Sequence, residues 1–416
     1  MMIYLPAVFF GVCMLVSIIK YGWNIQAYMF SLYFLTGIAS IMLDADNLYQ
    51  YNCLHRPLGI IAPLSYCLLL YLFIEQFGRV FKPNLIKYIV VRNTKILDYV
   101  TIFYFAMFVV DILISSTNMQ QVIANDAFLE VRMEKYSGDN VSFYNHLSGL
   151  PRYIAALTTF FFASSYFLQI IFFYNITFRN VRFVYNIMAL CGSTLQMISS
   201  FAQADRSQFL YWIILFIFCY TLFRPMMEGK AKRLLIIYIS PIIFIFVSYF
   251  VIVSVARWGN SVNGSEGGTI VYAGQNYINY CNFINGIWDT PRFINEIFPL
   301  ISYITNSMGY FELADIVSSR CHMYVSVFPT FLGLIFSISG PIVLFFYTLI
   351  YRIVSLKWLR RANTTIIIFD KLMKMWILAL VPILGVFGYF YMTYTATLAI
   401  FIWLYIGKKS SKQYSF

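Results

Sequence analysis

Arg257 to His322 reads RWGNSVNGSEGGTIVYAGQNYINYCNFINGIWDTPRFINEIFPLISYITNSMGYFELADIVSSRCH, the one long stretch of the chain too polar to sit in lipid. On either side of it the sequence breaks into hydrophobic runs of the length a bilayer demands, about 20 residues for a helix crossing about 30 Å of hydrocarbon. That contrast decides the fold. The chain is expected to be a polytopic membrane protein, all-α, that presents this segment to one aqueous side.

Composition agrees. With 61% of its 416 residues hydrophobic and only 11% charged, the chain carries more apolar surface than a soluble fold of this size can bury. No Pro-rich, Ser-rich or acidic linker interrupts the runs, so residues 1–416 are expected to form a single polytopic domain. The net charge of +12 does not point to nucleic acid, because basic residues of polytopic proteins gather on the cytoplasmic side. The seven cysteines, Cys13, Cys53, Cys67, Cys191, Cys219, Cys281 and Cys321, show no CxxC pair and no metal-ligand spacing. They suit small buried hydrophobes, with a disulfide open only among Cys53, Cys281 and Cys321. The opening residues, Met1 to Lys20, lack a basic leader and a small-residue cleavage site, so a retained first span is expected there.

Runs long enough to cross a bilayer fall near 2–19, 25–43, 58–78, 99–118, 152–176, 184–203, 208–223, 234–256, 323–351, 372–390 and 391–407, which makes about eleven transmembrane helices. An odd number puts the termini on opposite sides. If the tail GKKSSKQYSF (Gly407 to Phe416) is cytoplasmic, only Arg56, Arg132, Lys135, Arg152, Arg206, Arg257, Arg292 and Arg320 of the 29 Lys and Arg residues lie outside. The other 21 are then inside, as the positive-inside rule requires, and the N-terminus is outside. The outward segments become 44–57, 119–151, the turn 204–207, and the large extracytoplasmic loop 257–322. The run 323–351 is longer than one span needs and is interrupted by SISGP (Ser337 to Pro341), which predicts a bent or partly re-entrant helix.

Three arginines are placed at the outer membrane–water interface: Arg206 in the turn AQADRSQF, Arg257 at the end of one span and Arg320 just before another. A guanidinium there suits bidentate binding of a lipid-linked phosphate or diphosphate. The plainer account is that they snorkel or pair with neighbours such as Asp205, Glu312 and Asp315. The large loop carries Arg257, Arg292 and Arg320 against Glu266, Asp289, Glu296, Glu312 and Asp315, so any anion site must be local. The loop is also rich in rings and amides: Trp258, Tyr272, Gln275, Asn276, Tyr277, Tyr280, Asn282, Asn285 and Trp288. Flat apolar faces beside amide donors and acceptors suit sugars; an interfacial aromatic belt is the competing account. The segment GNSVNGSEGG (Gly259 to Gly268) suits a lid or plain disorder.

Asp111 sits inside a span, where a carboxylate costs roughly 2.5–3.5 kcal/mol on insertion scales and therefore needs a partner on another span or a role. Asp44 and Asp46, in an Asp-x-Asp pattern, offer hard oxygen ligands to a divalent cation, but three-residue patterns arise often by chance and no metal site is assigned. There is no Gly-rich phosphate loop, no HExxH, no GxSxG and no large cytoplasmic segment, so ATP-driven work and cytoplasmic nucleotide sugars are disfavoured and no cofactor is expected.

Taken together, the aromatic-rich spans, ADRSQFLYWIILF (Ala204 to Phe216), VYAGQNYINYCNF (Val271 to Phe283) and CHMYVSVFPTFLGLIFSISGPIVLFF (Cys321 to Phe346) resemble the Wzy-type oligosaccharide repeat-unit polymerases of O-antigen and capsule biosynthesis. The likeness is one of layout over nearly the whole chain. It departs from the family where YVSVFPTFLG (Tyr324 to Gly333) stands in place of a Thr and an Asp-Phe-Gly-like run.

The resemblance implies an enzyme of the bacterial inner membrane. On its outer face it would transfer a growing glycan from undecaprenyl diphosphate onto the next lipid-linked repeat unit. Arg206 and Arg257 match the family's essential arginines best and would stabilise the departing diphosphate. His322, with Asp205 as competitor, would be the base for the acceptor hydroxyl. Arg320, Arg292, Tyr272, Gln275, Tyr277 and Trp258 are the candidate substrate-binding residues. Expected partners are the lipid-linked oligosaccharide, membrane lipid, a chain-length regulator and a flippase, with no nucleic acid.

Two other readings stay open. A flippase of lipid-linked sugars should show an internal repeat and charged spans, which the sequence lacks. An O-antigen ligase-like transferase shares this layout and differs in acceptor.

Overall fold

The computed structural model describes residues 2–45, 58–124, 148–179, 181–202, 207–258, 264–286, 319, 329–360 and 365–411. They form helices α1 (Leu5–Tyr21), α2 (Ile25–Ala45), α3 (Ile61–Arg79), α4 (Thr94–Ala124), α5 (Leu150–Ser165), α6 (Leu168–Phe178), α7 (Phe183–Ser193) and α8 (Leu195–Ala202). The series continues through α9 (Ser207–Phe223), α10 (Gly229–Trp258), α11 (Gly264–Gly286), α12 (Thr330–Leu359), α13 (Phe369–Leu384) and α14 (Tyr394–Ser411). Seven helices among the described residues are long and apolar enough to cross a membrane: α1 to α4, α9, α10 and α12. The pair α5 and α6, bent by 55° at Tyr166 and Phe167, adds an eighth if it is one span.

Among the described residues, each run read from the sequence as a span has helix over most of its length, though several are broken, and 323–328 at the start of one run lie outside the described residues. The run 184–203 is two short helices meeting at Thr194, and 372–390 is the 16-residue α13 followed by an irregular stretch. The chain is nearly all helical, as expected; beside the helices, β1 (Tyr88–Val90) and β2 (Ile366–Ile368) pair in parallel with Ile89 opposite Ile367. Both strands lie in connections between helices, where Ile and Val favour extended backbone.

The chain divides into two compact units. The first comprises Met1–Ile86, Glu266–Thr365 and Lys374–Thr397. Its N-terminal hairpin is set by local chemistry. Gly22, at φ 69°, ends α1 with its N–H on the Ile18 carbonyl (2.8 Å), and the Asn24 side-chain oxygen caps α2 by accepting from the N–H groups of Gln26 (2.8 Å) and Ala27 (3.2 Å). The two helices approach closely because Gly37 faces the backbone of Ala7: a Cβ there would lie 2.8 Å from the Ala7 nitrogen.

Helix α12 changes character along its length. Thr330 to Gly340 are all buried, whereas beyond Pro341 one face, including Ile342, Phe345, Phe346 and Ile350, is exposed as a lipid-facing surface would be. The switch occurs at Gly340, whose φ of 84° and ψ of −178° break the helix at the predicted SISGP interruption. That conformation is open essentially only to glycine.

The second unit comprises Lys87–Ser265, Ile366–Met373 and Leu398–Phe416. Its helices are tied by polar bonds between apolar surfaces, which in lipid do the work that hydrophobic burial does in water. The Gln169 side-chain amide donates to the Trp212 carbonyl (3.1 Å), the Trp212 indole to Ser193 (2.9 Å), and the Trp403 indole to the Ser164 carbonyl (3.0 Å). Arg179 grips Asp98 through two bonds of 2.8 and 3.1 Å.

Candidate functional site

Helix α11 forms the middle of the segment read as the large loop. It is not among the helices apolar enough to span a membrane, yet Gly274 to Ile284 are buried without interruption. Of the segment Gly259 to Gly268, expected as a lid or disorder, Gly264 to Gly268 begin this helix, and 259–263 lie outside the described residues.

The sequence of α11 explains how a polar helix sits inside the first unit. At 100° per residue, Tyr277, Tyr280 and Ile284 fall on one face, Gly274, Ile278 and Cys281 on the next, and Gln275, Asn279 and Asn282 on a third. The tyrosine face packs on α3, with the Tyr66 ring 5.1 Å from that of Tyr277 and 5.2 Å from that of Tyr280. Both phenols are engaged, Tyr280 sharing a hydrogen bond with Ser65 (2.8 Å) and Tyr277 donating to the Met2 carbonyl (2.8 Å). On the small face, Gly274 meets α2. A Cβ at this position would lie 2.5 Å from the Ala39 carbonyl oxygen, and the Ser40 hydroxyl donates to the Gly274 carbonyl (2.6 Å). Cys281 is a buried free thiol.

The third face is a row of carboxamides. Gln275, Asn279 and Asn282 follow at i, i+4 and i+7, and Tyr272, Asn276 and Asn279 repeat that spacing one step round. The two rows share Asn279 and cover about one third of the helix circumference. The four amide side chains are all at most 5% exposed. The Asn276 side-chain oxygen has no hydrogen-bond partner among the described residues, while its nitrogen makes only a long contact of 3.4 Å with the Ala273 carbonyl. Such a surface offers uncharged donors and acceptors away from water, where each is worth more and each unmet group costs more.

Of the candidate residues from the sequence, α11 brings together Tyr272, Gln275 and Tyr277. Tyr277 is fully buried with its hydroxyl committed to packing, Gln275 lies on the carboxamide face, and Tyr272 is half-buried. Arg257 and Trp258 end α10, and their side chains are outside the described residues. Arg206, Asp205, Arg292, Arg320 and His322 also lie outside the described residues, as does Asp46 of the Asp-x-Asp pair. In the sequence Asn276 and Asn282 stand only as amides of a polar stretch, and Asn279 is not singled out. Their helical spacing was the available signal, hidden by taking the stretch as loop.

Asp111 finds the interhelical partner its burial calls for. It is fully buried in α4, and the Thr158 hydroxyl of α5 donates to it (3.3 Å). Gln208, at the start of α9, accepts a hydrogen bond from Tyr166 (2.7 Å), the residue at which α5 and α6 bend apart. Comparison of this chain with protein-family models, with curated proteins and with solved structures finds no match in any of the three.

Proposed function

We propose that this chain is a multispan membrane glycosyltransferase that polymerises undecaprenyl-diphosphate-linked oligosaccharide repeat units into O-antigen or capsular polysaccharide. The observation that carries the reading is α11, a helix rich in Asn, Gln and Tyr, buried with an amide face among apolar helices. Uncharged amides beside aromatic rings match the hydroxyls and flat faces of sugars. The resemblance to Wzy-type polymerases supplies the reaction. In this reading the chain has about eleven spans in the bacterial inner membrane, its N-terminus outside and its C-terminus in the cytoplasm.

The step would proceed by attack of an acceptor sugar hydroxyl on the anomeric carbon of the lipid-linked glycan. The new glycosidic bond forms as the bond to the phosphate oxygen breaks, and undecaprenyl diphosphate leaves. Arg206 and Arg257 would stabilise the charge on the departing diphosphate, with Arg320 and Arg292 holding substrate. The hydroxyl proton would pass to His322 or Asp205. Tyr272, Gln275 and Trp258 would contact the glycan.

A lipid-linked oligosaccharide flippase is the second reading, because a polar helix buried among apolar ones is also what a sugar-translocation path would need. Deleting the gene in its host, complementing with wild type or Arg257→Ala, and resolving surface glycans on a gel separates the readings. The polymerase reading expects a ladder that collapses to a single repeat unit on deletion and stays collapsed with Arg257→Ala protein present at wild-type abundance. Repeat units trapped on the cytoplasmic face would instead establish a flippase, and intact polymer unattached to its final carrier an O-antigen ligase-like transferase.

A further inference from the structure

Polar groups on the tyrosine and small faces of α11 hold the helix in place: Tyr277 on Met2, Tyr280 with Ser65, and the Gly274 carbonyl under Ser40. An interior helix face is in general better served by Leu or Ala, which are stronger helix formers and leave no polar atom to satisfy. Yet the third face carries four carboxamides within eight residues, 275 to 282, and at Asn276 an acceptor oxygen that no described residue meets. An unmet buried acceptor costs roughly 1–3 kcal/mol, so it persists where something else rewards it.

We infer that Asn276, on the carboxamide face of α11, is a saccharide-contacting residue whose side-chain oxygen accepts a hydrogen bond from a hydroxyl or an acetamido N–H of an uncharged sugar unit. The inference rests on the glycan-polymerising reading. The unit is uncharged because Tyr272, Gln275, Asn276, Asn279 and Asn282 supply no formal charge, and a sugar carboxylate buried against them would lose its hydration without compensation. Hydroxyl and acetamido donors present the same chemistry to Asn276, and N-deacetylating the saccharide distinguishes them.

The test uses the full-length protein in detergent and in its host, with Asn276→Leu as the principal variant. Leucine keeps the branching of asparagine at Cγ, with somewhat more bulk, and removes the unmet acceptor. The variant should therefore accumulate in the membrane at wild-type level and melt no lower than wild type. The probe is the oligosaccharide released by mild acid from the host's own lipid-linked repeat unit. It should raise the melting temperature of wild type in a saturable way, and the apparent affinity should fall several-fold, up to roughly tenfold, in Asn276→Leu, since one lost buried hydrogen bond approaches a factor of ten. The surface ladder should shorten in parallel. Asn276→Ser, which keeps an oxygen acceptor, should fall between the two.

A ladder and an oligosaccharide response unchanged in Asn276→Leu would overturn the inference. So would failure of both variants to accumulate, or a loss of thermal stability matching the loss of activity, since either makes Asn276 a structural residue. Failure of the parent reading looks different: the ladder would survive gene deletion, while the dependence of oligosaccharide protection on Asn276 would still be read in the purified protein.

Discussion

Arg352 in α12 donates to Glu75 in α3 across 2.8 Å, with the Glu75 side chain 9% exposed and the Arg352 side chain 31% exposed. Arg79, one turn along α3, reaches the same carboxylate only at 4.0 Å. The pair therefore depends on Arg352. Removing one partner of a buried pair leaves the other desolvated and alone, so Arg352→Met should lower stability by about 3 kcal/mol, near the low end for buried pairs because Arg352 keeps part of its side chain in solvent. The double variant Glu75→Gln with Arg352→Met should recover most of that loss. Thermal melts of the four proteins in detergent form the cycle, and additive losses would show that the two side chains are not coupled.

The break in α12 makes a second prediction. Gly340 adopts φ 84° and ψ −178°, so Gly340→Ala forces an L-residue into backbone it disfavours. A cost of about 1–3 kcal/mol is expected. Ala substitution at Gly229, where a Cβ would meet nothing within 4 Å, is the control and should be close to neutral. Membrane abundance and melting temperature compared between the two separate a backbone constraint from a general intolerance of alanine.

Seating of α11 against α2 depends on the absence of a side chain at Gly274. A methyl group there would lie 2.5 Å from the Ala39 carbonyl oxygen, backbone that no rotamer change relieves. Gly274→Ala should push the helices apart, weaken the bond from Ser40, and cost about 1–3 kcal/mol as overpacking does. Ser40→Ala, which removes the hydrogen bond without adding bulk, should cost about 1 kcal/mol. If Gly274→Ala melts with wild type, the close approach is not a constraint on the fold.

In the second unit, the fork of Arg179 on Asp98 predicts that lysine is a poor substitute. Arg179→Lys keeps the charge and loses the two-point geometry, and with it the contact to the Asn175 side-chain oxygen (3.2 Å). Because the pair is partly exposed, the expected loss is about 1 kcal/mol, larger at low ionic strength than at high. Melting temperatures at two salt concentrations measure it.

Asp111 makes a complementary case. Thr158→Val removes the hydroxyl that donates to its carboxylate while keeping shape, and should destabilise by about 1–2 kcal/mol. The same change in an Asp111→Leu background should cost little, because the carboxylate that needs the donor is gone. Equal costs in both backgrounds would show that Thr158 acts through packing alone.

Much of this protein was legible in the sequence because lipid is a simple solvent. Runs of about 20 apolar residues have only one satisfactory backbone state away from water, and among the described residues the runs picked out in that way are mostly helical. The SISGP interruption likewise pointed to the break found at Gly340, since glycine and proline act on the backbone locally. Fold class and the need of Asp111 for a partner were thus properties of composition and of single residues.

What the sequence could not decide was the fate of polar residues. Val271 to Phe283 is too rich in Asn, Gln and Tyr to look like a span, and hydropathy sorted it with the aqueous loop. Tertiary structure buries it, because Gly274 admits the Ala39 backbone, Tyr66 packs against two tyrosines, and Ser65, Ser40 and Met2 meet its polar groups. Those partners come from α2, α3 and the N-terminal turn, more than 200 residues away in the chain. Whether a polar helix lies in water or in a protein interior is set by the partners that meet it, and no local pattern records them.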